Sequence, residues 1–262
     1  LILLQEHNRH GMVPALNHAL KYVPKDSEIV IFTDADAFWE RDTINHVVKY
    51  FADPSVGAVT ASITPLEEKK KHLETIYRGY YNNIRIGESK AHSTPIHNGA
   101  LIAFRGKLLE KIGGLPEYTG NADSTPASLI AFMGYRAIQI DDTIVKEYTR
   151  KWSKVRRAQH LILHFLHTKN YAKKIKIYKP SAFDNIWLTE WYFHIVNPWI
   201  LLVIMIELVI ALINSSVFSL IILIIGVILL INDSYRMWVL QQLHLILAAL
   251  LNIKTKNIAW RK

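Results

Sequence analysis

Short apolar runs alternate with amphipathic patterns over the first 150 residues. The apolar runs predict buried strands at 1–4, 29–33, 58–63, 101–104, 137–140 and 144–147. Between them, apolar residues recur at three- and four-residue spacing, which predicts helices over 14–22, 43–51, 66–85, 107–112 and 124–133. Strands that alternate with helices are typical of an α/β domain with a mostly parallel sheet.

Basic amphipathic and then strongly apolar segments follow residue 150. Residues 155–167 combine an apolar face with basic residues, which fits an interfacial helix or an ordinary surface helix, and a polybasic stretch covers 169–179. Only three polar residues separate the apolar stretches 196–213 and 217–231. The first is about long enough to cross a bilayer and the second needs local thinning, so we expect a transmembrane hairpin.

The flanks of this hairpin predict its orientation. Its loop carries no basic residue, whereas both outer flanks do, so the positive-inside rule places 1–195 and 232–262 in the cytoplasm. Glu207 lies in mid-span and should pack against the other helix, while 237–253 is polar enough to lie at the interface. Four aromatic residues resemble a belt at the start of the first span: Trp187, Trp191, Tyr192 and Trp199.

The chain thus divides into four predicted segments. Residues 1–150 form the α/β domain, 151–186 the interfacial and polybasic segment, 187–232 the hairpin, and 233–262 a cytoplasmic interfacial helix with a basic tail. The chain opens on an apolar run without Met, and we expect further sequence upstream.

Composition narrows the chemistry. The chain has no cysteine, which excludes disulfides, thiolate metal sites and a cysteine nucleophile. Carboxylate and histidine chemistry remain. The formal net charge is +9 and the mean hydropathy is +0.12. Such a charge favours phosphate-bearing ligands or anionic lipid, and because the basic runs border apolar segments, we expect no nucleic-acid partner.

Asp34 and Asp36 follow the apolar run 29–33 and form the most informative motif. Ligands of open α/β sheets bind at the carboxyl ends of strands, and side chains at i and i+2 of an extended segment point the same way. The pair could therefore hold Mg²⁺ or Mn²⁺ together with substrate phosphates. The alternative is that these residues only cap and turn the chain.

Several further motifs appear in order along the chain: Arg9-His10-Gly11-Met12-Val13-Pro14-Ala15-Leu16-Asn17, Asp34-Ala35-Asp36, Asn98-Gly99, Gly113-Gly114, Ala122-Asp123 and Arg156-Arg157. In this arrangement, ahead of an apolar hairpin, the chain resembles the membrane-bound family 2 glycosyltransferases. The resemblance covers about residues 5–165. It implies a GT-A nucleotide-sugar domain, which is Rossmann-like, followed by a C-terminal transmembrane helical hairpin.

The resemblance also implies roles for individual residues. Asp34 and Asp36 match the metal-binding Asp-x-Asp motif, and Asp123 matches the general base; capping the helix that follows is the alternative, which the family spacing makes less favoured. Asn98 and Gly99 match the acceptor-binding loop. The residues that match the donor pocket are Arg9, Gly11, Leu16, Asn17, Asp34, Arg156 and Arg157. The two arginines could instead face a membrane.

Departures from the family pattern bear on the activity. Met12 replaces a lysine, Ala122 replaces the glutamate that precedes the base, and Arg157 stands where processive members have tryptophan. The family's first strand and the aspartate that binds the nucleotide base would lie upstream. We expect an inverting transferase that moves one sugar from a nucleotide-sugar to a lipid-linked or saccharide acceptor at the cytoplasmic membrane face, with membrane lipid as a further partner. A short-chain polysaccharide synthase and a non-catalytic membrane scaffold remain alternatives.

Overall fold

A computed structural model describes residues 2–5, 10–67, 72–119, 121–148 and 153–254. Within these ranges the chain forms five strands, which are β1 Ile29–Phe32, β2 Ala37–Phe38, β3 Val56–Pro65, β4 Ile102–Arg105 and β5 Arg136–Glu147. The helices are α1 Met12–Leu20, α2 Thr43–Val48, α3 His72–Ala91, α4 Gly106–Lys111, α5 Ser124–Phe132, α6 Ser153–Lys174, α7 Phe183–Trp191, α8 Asn197–Ile213, α9 Val217–Leu229 and α10 Asp233–Lys254.

The sheet is mixed, and the prediction of a mostly parallel sheet is wrong. Its strand order is β1-β4-β3-β5-β2. Only β3 and β5 pair in parallel among the described strands, whereas β1–β4, β3–β4 and β2–β5 are antiparallel. Hydrophobic alternation predicts that a segment is a strand, but the direction of each strand depends on where the chain re-enters the sheet.

Two predicted strands at the ends of the domain also differ. Residues 2–5 form no strand, and Leu3 is 92% exposed, because an apolar run becomes a strand only where another strand pairs with it. The runs 137–140 and 144–147 join into the single strand β5, with a register shift opposite Ala61 and Ser62. Such a bulge bends a strand without ending it.

Helices cover both faces of the sheet. One core cluster packs α1, α4, α5, α6 and α7 against β4 and includes Phe104, Phe132 and Phe165. The other packs α2 against the opposite face and includes Val47 and Val59. Every residue of α5 is buried, so the loop that leads into α5 is held firmly in the interior.

The C-terminal region contains one long continuous helical segment, followed by the separate helices α9 and α10. Helix α7, a short π-helical stretch over Tyr192–Val196, and α8 join without a break. By length and composition, Phe183–Ile213 and Asp233–Lys254 qualify as candidate membrane spans, while α9 has 13 residues. The segment expected to lie at the interface is therefore itself apolar enough to span, and it packs against α6 through Leu245 and Ala248.

Two predictions about the hairpin surface need correction. Trp187 is 3% exposed and packs against Phe132 and Phe165, because α7 belongs to the domain core; it is not part of an aromatic belt. Tyr192 and Trp199 are exposed, as a belt requires. Glu207 is exposed on α8, whereas the sequence predicted that it would be covered by the other helix.

Candidate active site

The turn after β1 presents the first aspartate of the Asp-x-Asp motif. The backbone N–H of Asp34 donates to the carbonyl of Gly99 at 3.1 Å, and the N–H of Ala37 donates to the carbonyl of Asp34 at 3.1 Å. The hydroxyl of Thr33 donates to the carbonyl of Ala100 at 2.9 Å. Because β1 pairs directly with β4, the loop before β4 lies beside this turn, and the two motifs meet.

Gly99 lies between two carboxylates that are far apart in sequence. A Cβ placed on Gly99 would be 3.3 Å from Oδ2 of Asp34 and 3.6 Å from Oδ2 of Asp123. The carboxylates therefore lie within a few ångströms of a common point. The missing side chain leaves open the space in which a substrate could contact both of them.

Asp123 uses its two carboxylate oxygens differently. As the N-cap of α5, its Oδ1 accepts a hydrogen bond from the N–H of Ser124 at 2.7 Å. Its Oδ2 is the atom that faces Gly99 and Asp34. The capping role and a role as base, which the sequence left as alternatives, are thus compatible in one side chain.

Burial makes Asp123 a stronger base than an exposed aspartate. The pKa of Asp123 is raised from 3.8 to about 6, because burial and, to a smaller extent, the nearby Asp34 raise it by more than the N–H of Ser124 lowers it. A carboxylate with a pKa near the working pH is suited to accept a proton. This pKa keeps Asp123 largely ionised above pH 6.

Negative charge accumulates at Asp34. Burial, followed by the charges of Glu147 and Asp36, raises its pKa, while Arg157 lowers it. A bound divalent cation would relieve this repulsion, and the hard oxygen donors of Asp34 and Asp36 suit Mg²⁺ or Mn²⁺. Within the described ranges, no group of three or more His, Asp or Glu residues converges on a metal position. The pair thus fits a cation that also takes oxygens from a substrate.

An ion-pair network places Arg157 beside the aspartates. Glu147, at the end of β5, accepts a hydrogen bond from Arg78 at 2.6 Å and from Arg157 at 3.3 Å. Glu74 accepts from Arg78 at 3.2 Å and pairs with Lys154 at 2.9 Å. The network ties α3 and β5 to the first turns of α6. Sequence reasoning missed Glu147 and Arg78; the only available signal was a charged residue at the end of a strand.

Apart from Arg156, the remaining predicted donor residues lie on or before α1. Arg9 is outside the described residues, Gly11 is the N-cap of α1 with φ of 106°, and Leu16 packs against the core. Both ends of the Asn17 amide bind the backbone of Leu115, at 2.8 and 2.9 Å. Asn17 therefore holds the Gly113-Gly114 turn in place. A donor contact by these residues stays a prediction, as it does for Arg156, which is half-buried on α6.

The loop before Gly99 carries buried polar atoms without partners. Asn98 donates to the carbonyl of Ala61 at 2.8 Å, but its Oδ1 has no hydrogen-bond partner among the described residues. Neither ring nitrogen of His97 has one there, and burial lowers its pKa to about 3, so this histidine is neutral. Arg85 on α3 is close enough to lower the pKa of Asp123. Sequence reasoning identified Asn98 but missed His97 and Arg85.

Comparisons with known proteins relate the chain to sugar transferases. Residues 1–113 match the model of glycosyl transferase family 2. Over 129 residues, the chain is 26% identical to the O-antigen chain rhamnosyltransferase RfbN of Salmonella typhimurium strain LT2. The aligned region covers 46% of this chain and 41% of that protein. The chain thus spans less than half the length of this curated relative.

A solved structure is similar over nearly the whole chain. It is the mannosyltransferase PcManGT from Pyrobaculum calidifontis in complex with GDP-Man and Mn²⁺. The two chains are 40% identical and superpose with a TM-score of 0.82, over 96% of this chain and 69% of that one.

Proposed function

This chain belongs to glycosyl transferase family 2, and we propose that it moves one sugar, with inversion, from a nucleotide-sugar to a lipid-linked or membrane-proximal acceptor. The chain is a transferase with a GT-A fold built on a mixed sheet, and a nucleotide-sugar is its donor. A non-catalytic scaffold is therefore not retained. The single observation that supports the proposed chemistry is that Asp34 and Asp123 flank Gly99.

Asp123 would act as the general base of a single displacement. The acceptor hydroxyl oxygen attacks the anomeric carbon on the face opposite the nucleoside diphosphate. The new C–O bond forms as the bond to the diphosphate breaks, the electron pair leaves with the diphosphate, and the hydroxyl proton passes to Oδ2 of Asp123. One displacement inverts the configuration at the anomeric carbon.

Asp34, Asp36 and the arginines of α6 would bind the leaving group. Held by the two aspartates, Mg²⁺ or Mn²⁺ would neutralise charge that develops on the diphosphate. The side chain of Arg157 is about half exposed, with 48% of it accessible, so its guanidinium can reach a substrate while Nη2 donates to Glu147. Guanidinium groups match phosphate geometry, which supports a similar role for Arg156.

The donor and metal to test first are GDP-mannose and Mn²⁺. They are the pair in the similar mannosyltransferase structure, which shares 40% of its sequence with this chain. The relative RfbN is a rhamnosyltransferase and is more distant, at 26% identity.

The C-terminal helices support a membrane-proximal acceptor. Large apolar side chains cover the surfaces of α8 and α9, among them Val203, Ile206, Phe218 and Ile228, each about half exposed or more. Lys173 and Lys174 are exposed at the end of α6, where they could contact anionic lipid head groups. We propose that α8 and α9 insert as a hairpin, with the catalytic domain on the cytoplasmic side.

Transfer of radiolabelled sugar to membrane lipids tests this proposal. The full chain in detergent micelles is incubated with GDP-[¹⁴C]mannose, a lipid extract and Mn²⁺ or Mg²⁺. Label should enter the lipid fraction, and Asp36→Asn and Asp123→Asn should each abolish it. Asp26→Asn, on an exposed turn, is the matched control. Transfer that survives in both site variants would contradict the assignment, and a ladder of product lengths would favour the short-chain polysaccharide synthase.

A further inference from the structure

A cavity of about 200 Å³ lies between α3 and the first turns of α10. Its walls are mainly aromatic, with Tyr77, Tyr80 and Tyr81 from α3 and Tyr235, Met237 and Trp238 from α10. A buried apolar cavity of ~150 Å³ is large enough to bind benzene. This cavity can therefore hold a substantial apolar group.

One end of the cavity adjoins the apolar helices. Helix α10 begins at Asp233, four residues after α9 ends at Leu229. Tyr235 and Trp238 lie in the first two turns of α10, with their ring centroids 5.8 Å apart. Tyrosine and tryptophan side chains suit the boundary between membrane and water, because each ring is apolar and carries one polar group.

The helix on the other side of the cavity, α3, also carries residues that act on Asp34 and Asp123. One turn before Tyr81, Arg78 binds Glu147 at 2.6 Å, and Glu147 is close enough to raise the pKa of Asp34. One turn after Tyr81, Arg85 acts on Asp123. The α3 face that lines the cavity therefore continues on both sides into residues that influence the active site.

Arg85 is a half-buried cation with unmet hydrogen-bonding capacity. Its guanidinium lies 6.0 Å from the centroid of the Tyr81 ring, and its Nε has no hydrogen-bond partner within the described part of the chain. Two acids act on Arg85, Glu88 on α3 and Glu190 on α7, and Glu190 is already paired with His194 at 3.1 Å. A buried cation is costly unless an anion compensates it, so an anionic group beside Arg85 would be stabilised.

We infer that this cavity binds an anionic lipid acceptor. The part of its apolar chain that adjoins the head group occupies the cavity, and the head group lies toward Arg85. The inference rests on the proposed lipid-directed transfer and specifies where the acceptor binds. A lipid would enter from the hairpin side, past Tyr235 and Trp238. Its head group would then lie at the α3 residue that influences Asp123, while the donor is held on the side of Asp34.

Photo-crosslinking tests the cavity directly. The full chain in detergent micelles is labelled with a phytanyl phosphate that carries a diazirine on its chain, and the labelled peptides are mapped by mass spectrometry. Label should concentrate on 76–81 and 234–238. Ser234→Trp, which fills the cavity from its rim, should reduce it at least tenfold. Leu240→Trp, on an exposed position of the same helix that does not line the cavity, should not.

The role of Arg85 in binding the head group is tested by comparing a charged probe with a neutral one. The neutral phytanol analogue should label at least tenfold less than the phosphate in the wild-type protein. Arg85→Gln should reduce labelling by the phosphate to the phytanol level, with thermal melting used to verify that the variant folds. Equal labelling by the two probes in the wild type would overturn the assignment of Arg85.

Other outcomes separate this inference from the proposed function. Label spread evenly over α8 and α9, unchanged labelling of Ser234→Trp, or stronger competition by a soluble oligosaccharide than by unlabelled lipid would each overturn the cavity assignment. Hydrolysis of GDP-mannose with Mn²⁺ in the absence of lipid reports on the donor site alone. Its absence would count against the proposed donor while the labelling result stands.

Discussion

Asp123 performs two tasks that substitution can separate. Its Oδ1 caps α5 through the N–H of Ser124 at 2.7 Å, and its Oδ2 faces Gly99. Asparagine keeps an oxygen that can accept the capping hydrogen bond but cannot take up a proton at neutral pH. Alanine removes both. Asp123→Asn and Asp123→Ala should therefore differ in stability but not in activity.

The expected magnitudes follow from these contacts. Loss of a general base costs about 10²- to 10⁴-fold in rate, and both variants should show it. Asparagine and aspartate are about equally good N-caps, whereas replacing either with alanine costs ~1 kcal/mol. Because asparagine also avoids a buried charge beside Asp34, Asp123→Asn should be at least as stable as the wild type, and Asp123→Ala should be less stable by about 1 kcal/mol.

Two measurements check this prediction. Initial rates of sugar transfer from pH 5 to 8 should rise through about pH 6 in the wild type, because burial raises the pKa of Asp123 to about 6 and the ionised form is the base. Urea unfolding gives the two stability differences. Transfer by Asp123→Asn within tenfold of the wild-type rate would refute the base, and equal stabilities of the two variants would refute the cap.

Three further predictions address neighbouring features. Gly99→Ala places a Cβ 3.3 Å from Oδ2 of Asp34 and should lower kcat/KM by about 10²-fold with an unchanged melting temperature; wild-type kinetics would show that the space is not used. Arg157→Ala removes the half-exposed side chain whose guanidinium we propose contacts the diphosphate, and it should raise the donor KM; an unchanged donor KM would contradict that contact. Burial beside a second carboxyl raises the pKa of Glu88 from 4.5 to about 9, so the folded protein holds a proton that the unfolded chain releases, and stability should fall as pH rises from 5 to 9. Glu88→Gln should flatten that trend in melting temperature, and identical slopes in the two proteins would refute it.

Much of the candidate site could be predicted because its signals are local. Asp34 and Asp36 follow a short apolar strand, and Asp123 directly precedes a helix; both positions can be read from a few neighbouring residues. The space at Gly99 could be expected only by resemblance. Glu147, Arg78 and Arg85 were missed, since a charged residue on a strand or helix looks like an ordinary solvated one until its partner is known.

The fold shows the same division. Strands β1, β3 and β4 and helices α2, α4 and α5 lie close to where hydrophobic spacing predicts them. Residues 2–5 failed as a strand, and Trp187 failed as part of an aromatic belt. In both cases the residue type was right for the predicted environment, but the partner that decides the environment lies far away in the sequence.

The sequence by itself determined where most of the helices and strands lie, which carboxylates end up at their termini, and that the C-terminal third is apolar, because each depends mainly on residues only a few positions apart. Tertiary structure alone decided the strand directions, the meeting of Asp34 with Asp123 across Gly99, and the network that brings Arg157 beside them. These depend on contacts between residues tens of positions apart, whose free energy exists only once the chain has folded.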